Sequence, residues 1–135
     1  MKTVLITTDN RFKVVSVDPG ARSFDEFRRI TGQGWAEFVN PRDWDEVIVC
    51  DEEGLLKGLE VNEFASLCYG SAFHGHPIVG DVILMKAVIG PDGPDYAFYK
   101  DSEVPKLMKA LTLRLILFKK AFGIDSKKYK FIEEE

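Results

Sequence analysis

Over the first hundred positions apolar residues come in short alternating or continuous blocks, and after that they follow a helical period. Residues 2–7 (KTVLIT) and 12–17 (FKVVSV) are β-rich blocks separated by Thr8-Asp9-Asn10-Arg11. Asp and Asn tolerate the left-handed backbone of a tight turn, so these blocks predict a hairpin. Pro19-Gly20 closes it. Ser23-Phe24-Asp25-Glu26 has capping-box spacing, and Phe24, Phe27 and Ile30 then recur at helical intervals, which predicts a helix over 24–31 ended by Gly32 and Gly34. Residues 35–39 read as a short strand. The run 46–50 (EVIVC) is the most continuous β-branched block and reads as a central strand. Asp51-Glu52-Glu53-Gly54 is a turn with Gly54 available for a positive φ, after which residues 55–59 would pair back as a hairpin arm. Asn62 is a good N-cap for a helix over 63–69 that Gly70 ends. A loop over 70–77 leads into a strand over 78–89, interrupted at Gly80. The turn Pro91-Asp92-Gly93-Pro94 precedes a last strand over 95–100.

The longest element is 102–122. Val104, Leu107, Met108, Leu111, Leu115, Phe118 and Phe122 share one side of a helix that Ser102 could cap and Gly123 could end. Leu111, Leu113, Leu115 and Leu117 also alternate as a strand would, but Lys106–Ala110 and the low β-branched content favour helix. Leu113, Ile116 and Leu117 then fall off the main stripe. A helix apolar on more than one side is covered on more than one side, by its own core or by a second subunit. The whole reads as α+β: a single domain over 1–123 with a mainly antiparallel sheet, two short helices and a long C-terminal helix. Residues 124–135 form a lysine- and glutamate-rich tail, expected to be partly disordered at its end.

Composition narrows the class without choosing a function. At 135 residues the chain suits one core, and 10 Phe and 2 Trp supply core volume. The opening residues are too short an apolar run for a signal segment, and no run approaches a membrane span, so a cytoplasmic protein is expected. Cys50 and Cys68 then read as buried free thiols. Net charge is −4, unevenly spread: residues 1–99 carry nine Lys/Arg against sixteen Asp/Glu, and residues 100–130 carry nine against three. The basic third suits an acidic partner, or it lies against the acidic body of its own domain.

Candidate chemistry gathers near residues 50–81. Asp51, Glu52 and Glu53 end the central strand, where carboxylates can serve as acid or base if burial shifts them, though adjacent acids in a turn more often form a solvated tip. His74-Gly75-His76, with Cys68 and Asp81, offers zinc-compatible donors, but the spacing matches no zinc signature, and no metal or other cofactor is expected. A Cys–His pair lacks an activating feature. The glycines of 70–81 could cradle an anion, yet neither phosphate-binding fingerprint occurs. A ligand there would meet Asn62, Tyr69, Ser71, His74, His76 and Asp81. Lysines interleaved with Phe118, Phe122, Tyr129 and Phe131 could suit nucleic acid, but the acidic body opposes this and no recognition module is present.

One pattern resembles a known family. The strand closed by Asp51-Glu52-Glu53-Gly54, then Gly58-Leu59 and Asn62, then Ile78-Val79-Gly80-Asp81-Val82-Ile83-Leu84, is similar to small proteins of phages, plasmids and related mobile elements catalogued as domain of unknown function thirty-eight forty-six. The similarity spans roughly residues 1–90. It implies a mobile-element accessory protein with no enzymatic activity to carry over, and its matching positions Asp51, Gly54, Asn62, Gly80 and Asp81 suit fold-determining roles. The expectation is a non-enzymatic protein that binds another protein, in which a homodimer through 102–122 would cover the second apolar side. The competing readings are a nucleotide-like ligand held at 70–81 and, behind it, a hydrolase-type enzyme or nucleic-acid binder.

Overall fold

The computed structural model describes residues 1–41, 44–71 and 75–132. Strands β1 (Lys2–Ile6) and β2 (Arg11–Ser16) form the expected hairpin, in register from Lys2 opposite Ser16 to Ile6 opposite Phe12. Its turn places Asn10 at φ 69°, the left-handed geometry that an Asn side chain tolerates. Helix α1 (Ser23–Thr31) follows, then β3 (Ala36–Val39), β4 (Glu46–Asp51), α2 (Glu63–Tyr69), and the hairpin β5 (Val82–Gly90) and β6 (Gly93–Ala97). A 3-10 turn leads into α3 (Val104–Phe122), and β7 (Lys130–Ile132) closes the described chain. The fold is α+β with a mostly antiparallel sheet.

The sheet order is β3-β4-β5-β1-β2-β7, with β6 also on β5. Lys86 stands opposite both Glu46 and Ala97, and Ile83 opposite both Val49 and Leu5. One edge of β5 is thus taken by β4, and the other is shared by β1 and then β6. Where β1 peels away, side chains complete the ladder. The Thr3 hydroxyl donates to the Leu84 carbonyl at 2.7 Å and accepts its amide at 3.2 Å, and the Tyr99 hydroxyl donates to the Met85 carbonyl at 2.9 Å. The Thr3 bonds satisfy the Leu84 amide and carbonyl, which no strand residue of β1 pairs.

Residues 82–85 and 47–51 are buried without a break, as in strands covered on both faces. One face carries Val4, Ile6, Phe12, Ile48 and Leu84 against α2 and α3, and Phe64 of α2 meets Phe12 edge-on at 4.8 Å. The other carries Val47, Val49, Ile83 and Met85 beneath Phe27 of α1.

Four expectations are corrected. Residues 55–59 do not pair as a strand but continue a chain of turns, because Asp51 folds the following backbone onto itself. Gly54 is not among the positive-φ residues; a Cβ there would stand 2.6 Å from Val79 Cγ2, so close approach is what requires glycine. Ser23 is the first residue of α1 rather than its cap, and the Glu26 carboxylate is drawn to Arg29 one turn on. Ser102 lies in the 3-10 turn, while Glu103 takes the Lys100 amide at 2.9 Å and Lys86 Nζ at 2.7 Å. The partial disorder expected at the end of the tail falls on residues 133–135, which lie outside the described residues. Ahead of them Tyr129 is buried, stacks on Phe12 at 5.7 Å and bonds to Glu63, and β7 adds a parallel edge strand to β2.

Candidate functional site

Residues 104–122 are helical throughout, and the strand-like alternation of their leucines has no structural counterpart. The stripe Leu107, Leu111, Leu115 and Phe118 is buried against the sheet. The second apolar set is not covered: Leu113 is 56% exposed, Ile116 59% and Leu117 51%. Contiguous branched side chains in water are the usual mark of an interaction surface. Helix α3 also carries Lys106, Lys109, Arg114, Lys119 and Lys120 and no acidic residue. Lys109, Lys119 and Lys120 have no ion-pair partner among the described residues.

Beside this side of α3 runs a groove of about 520 Å³. Its helical wall is Lys106, Ala110, Leu113, Arg114 and Leu117. The facing wall comes from the far end of the sheet: Trp44, Glu46, Lys86 and Tyr99. Arg114 lies over the Trp44 ring at 5.4 Å from its centroid, a cation–π contact that holds both side chains. Burial, and next the charge of Asp45, push the Glu46 carboxyl above its ordinary value, while Arg114 and Lys106 act the other way. The hydrogen bond from Lys86 holds the Glu103 carboxyl below its usual range, helped by the Lys100 amide.

The 50–81 region is built differently, with its polar groups consumed internally. Asn62 is fully buried; its Nδ2 donates to the carbonyls of Ile6 at 2.9 Å and Gly80 at 3.0 Å, and its Oδ1 caps the Ala65 amide at 3.2 Å. The Asp51 side chain has no exposed surface and accepts from the Glu53 amide at 2.8 Å and from Lys57 Nζ at 2.7 Å. Burial pushes this carboxyl up, but the Lys57 bond and the amides of Glu53 and Gly34 outweigh it, so it titrates below the ordinary value. Gly80 stands at φ 79°, where a Cβ would lie 2.1 Å from Gln33 Oε1. Asp81 Oδ1 accepts the Thr8 amide at 3.0 Å, and burial raises its carboxyl. These four residues fasten a turn, a cap and a bend.

Of the other predicted contacts, Ser71 Oγ donates to the His76 carbonyl at 2.5 Å, His76 is exposed, and Tyr69 packs at the margin of the core. His74 lies outside the described residues. Asp81 lines a separate hollow with Thr7, Asp9, Arg11 and Lys13. Among the described residues no three His, Cys, Asp or Glu side chains gather as metal donors. Burial pushes the Cys50 thiol up to about 12 and raises Cys68 as well, so neither supplies a thiolate near neutral pH. Glu52 and Glu53 are exposed at the turn. Among the described residues no helix is long and apolar enough to cross a membrane.

The exposed triad of α3 was legible from its helical phase. The groove was not, because Trp44, Lys86 and Tyr99 are far apart in sequence and carry no shared signal. No curated protein and no solved structure matches the chain. Residues 1–96 match the family model of the domain of unknown function DUF3846, so α3 and β7 lie beyond the match and the chain belongs to that family.

Proposed function

We propose that this protein is a non-enzymatic accessory protein of a phage or related mobile element, and that it acts by binding another protein through the outer side of α3. The observation that carries the reading is the exposure of Leu113, Ile116 and Leu117 on a helix already anchored by a complete buried stripe. Burying them against a partner would contribute about 25 cal/mol for each Å² of apolar surface removed from water. The family resemblance supports the mobile-element origin. The internal use of Asn62, Asp51 and the polar groups around Ser71 makes the 70–81 loop the weaker seat for function.

The test is affinity capture from the host cell with the wild-type chain and with Leu113→Asp/Leu117→Asp. A protein retained by the first and lost by the second, with both folded, supports the reading. A protein retained equally by both places function elsewhere on the molecule.

A further inference from the structure

We propose that the groove beside α3 is a docking slot for an acidic amphipathic helix of a partner protein. This inference rests on the protein-binding reading above and specifies what binds.

The helical wall has the geometry of a packing seam. Lys106, Ala110, Leu113 and Leu117 are spaced four, three and four residues apart, the repeat along which a second helix packs knobs into holes. Ala110, the smallest of them, lies mid-groove and permits close approach. In that register Lys109 and Arg114 occupy the two flanking positions whose charges select a coiled-coil partner. The 19 residues of α3 extend about 28 Å at 1.5 Å per residue, enough for a partner of several turns. The opposite wall, with Trp44 and Tyr99, makes the site a trough beside α3 rather than a flat face.

Charge decides among occupants. Within the trough Asp45, Glu46 and Glu103 are matched in number by Lys86, Lys106 and Arg114, with Lys86 paired to Glu103 at 2.7 Å, whereas Lys109 and Lys120 at the outer side lack ion-pair partners among the described residues. A second α3 would bring five more cations and no anion against these lysines, a like-charge contact that disfavours the symmetric pair. A membrane-surface helix separates a basic face from an apolar one. Here Lys109 and Lys120 fall among Leu113 and Ile116, and two of the exposed leucines face a concavity. A helix presenting leucines to the seam and glutamates beside it satisfies both features.

The test uses the full chain and two fluorescent three-heptad helical peptides with leucine at the seam positions, one bearing glutamate and the other lysine at the surface positions. Fluorescence anisotropy is expected to show the glutamate peptide binding at least about tenfold tighter, with affinity falling as salt rises. Leu113→Asp/Leu117→Asp should abolish binding. So should Ala110→Trp, which fills the trough without changing charge; circular dichroism confirms that each variant is folded. Binding that survives Ala110→Trp in a folded protein overturns the trough as the site. Equal binding of both peptides, lost in the leucine variant, overturns the acidic preference and leaves the protein-binding reading intact. Binding of neither peptide overturns the inference, and if host capture also fails the broader reading falls with it. A dimer in sedimentation that Leu113→Asp/Leu117→Asp dissociates would give the slot to a second copy. Binding to phosphatidylserine vesicles without binding to the glutamate peptide would give it to a membrane.

Discussion

The inner and outer sides of α3 use nearly the same residues to opposite ends. Leu107, Leu111, Leu115 and Phe118 are between 0% and 5% exposed, while Leu113, Ile116 and Leu117 are all more than half exposed. Composition and helix propensity do not distinguish the two sets; helical phase against the sheet does. The same division runs through the molecule. Asp51, Asn62 and Gly80 are spent on holding the backbone, whereas Leu113, Ile116 and Leu117 on the outer side of α3 stand more than half in water. Residues used up internally explain the shape, and residues left over are where function is to be sought.

The sharpest way to break the comparison is on the inner side. Leu111→Ala removes a side chain with no exposed surface and leaves a cavity, and should cost about 2–5 kcal/mol in urea unfolding. A loss below about 1 kcal/mol would mean that the inner stripe is not the anchor.

Asp51→Asn removes the charge from a buried carboxylate bonded to Lys57 at 2.7 Å, and should cost about 2–3 kcal/mol at neutral pH. Because the native Asp51 carboxyl titrates below its unfolded value of about 3.9, its contribution is fully present above that pH and disappears as pH falls through the native value. Unfolding curves of wild type and variant should therefore differ most above about pH 5, begin to approach each other only below about pH 4, and converge once pH is below the depressed native value. A difference that persists in acid would assign the effect to shape rather than charge.

Tyr129→Phe removes the hydroxyl bonded to Glu63 but keeps the ring on Phe12, and should cost about 1–2 kcal/mol. Hydrogen exchange should then quicken at the amides of 130–132 before those of β1. Unchanged protection there would show that β7 is held by its strand pairing alone.

Much of this division could be read along the chain. The Asp9-Asn10 turn, the Asn62 cap and the β-branched run at 46–50 are local signals with local causes, and the structure carries them as read, whereas the strand read over 78–89 begins only at Val82. The phase of α3 is a local signal too, and it set Leu113, Ile116 and Leu117 apart from the buried stripe. What escaped depends on distant partners. The tail looked like a charged end because Tyr129 and Phe131 find Phe12 only across the fold. Residues 55–59 looked like a strand because their side chains do not reveal that Asp51 and Lys57 close the turn instead. The trough needs Trp44, Lys86 and Tyr99 brought to α3 by sheet order, which no short pattern encodes.

The most direct test of the division is urea unfolding of the Leu113→Asp/Leu117→Asp protein beside the wild type. If the outer side of α3 is surplus to folding, the two exposed substitutions leave stability within about 1 kcal/mol of wild type, the summed range of ordinary surface changes. A loss comparable to that of Leu111→Ala would show that these leucines belong to the core, and would contradict the account.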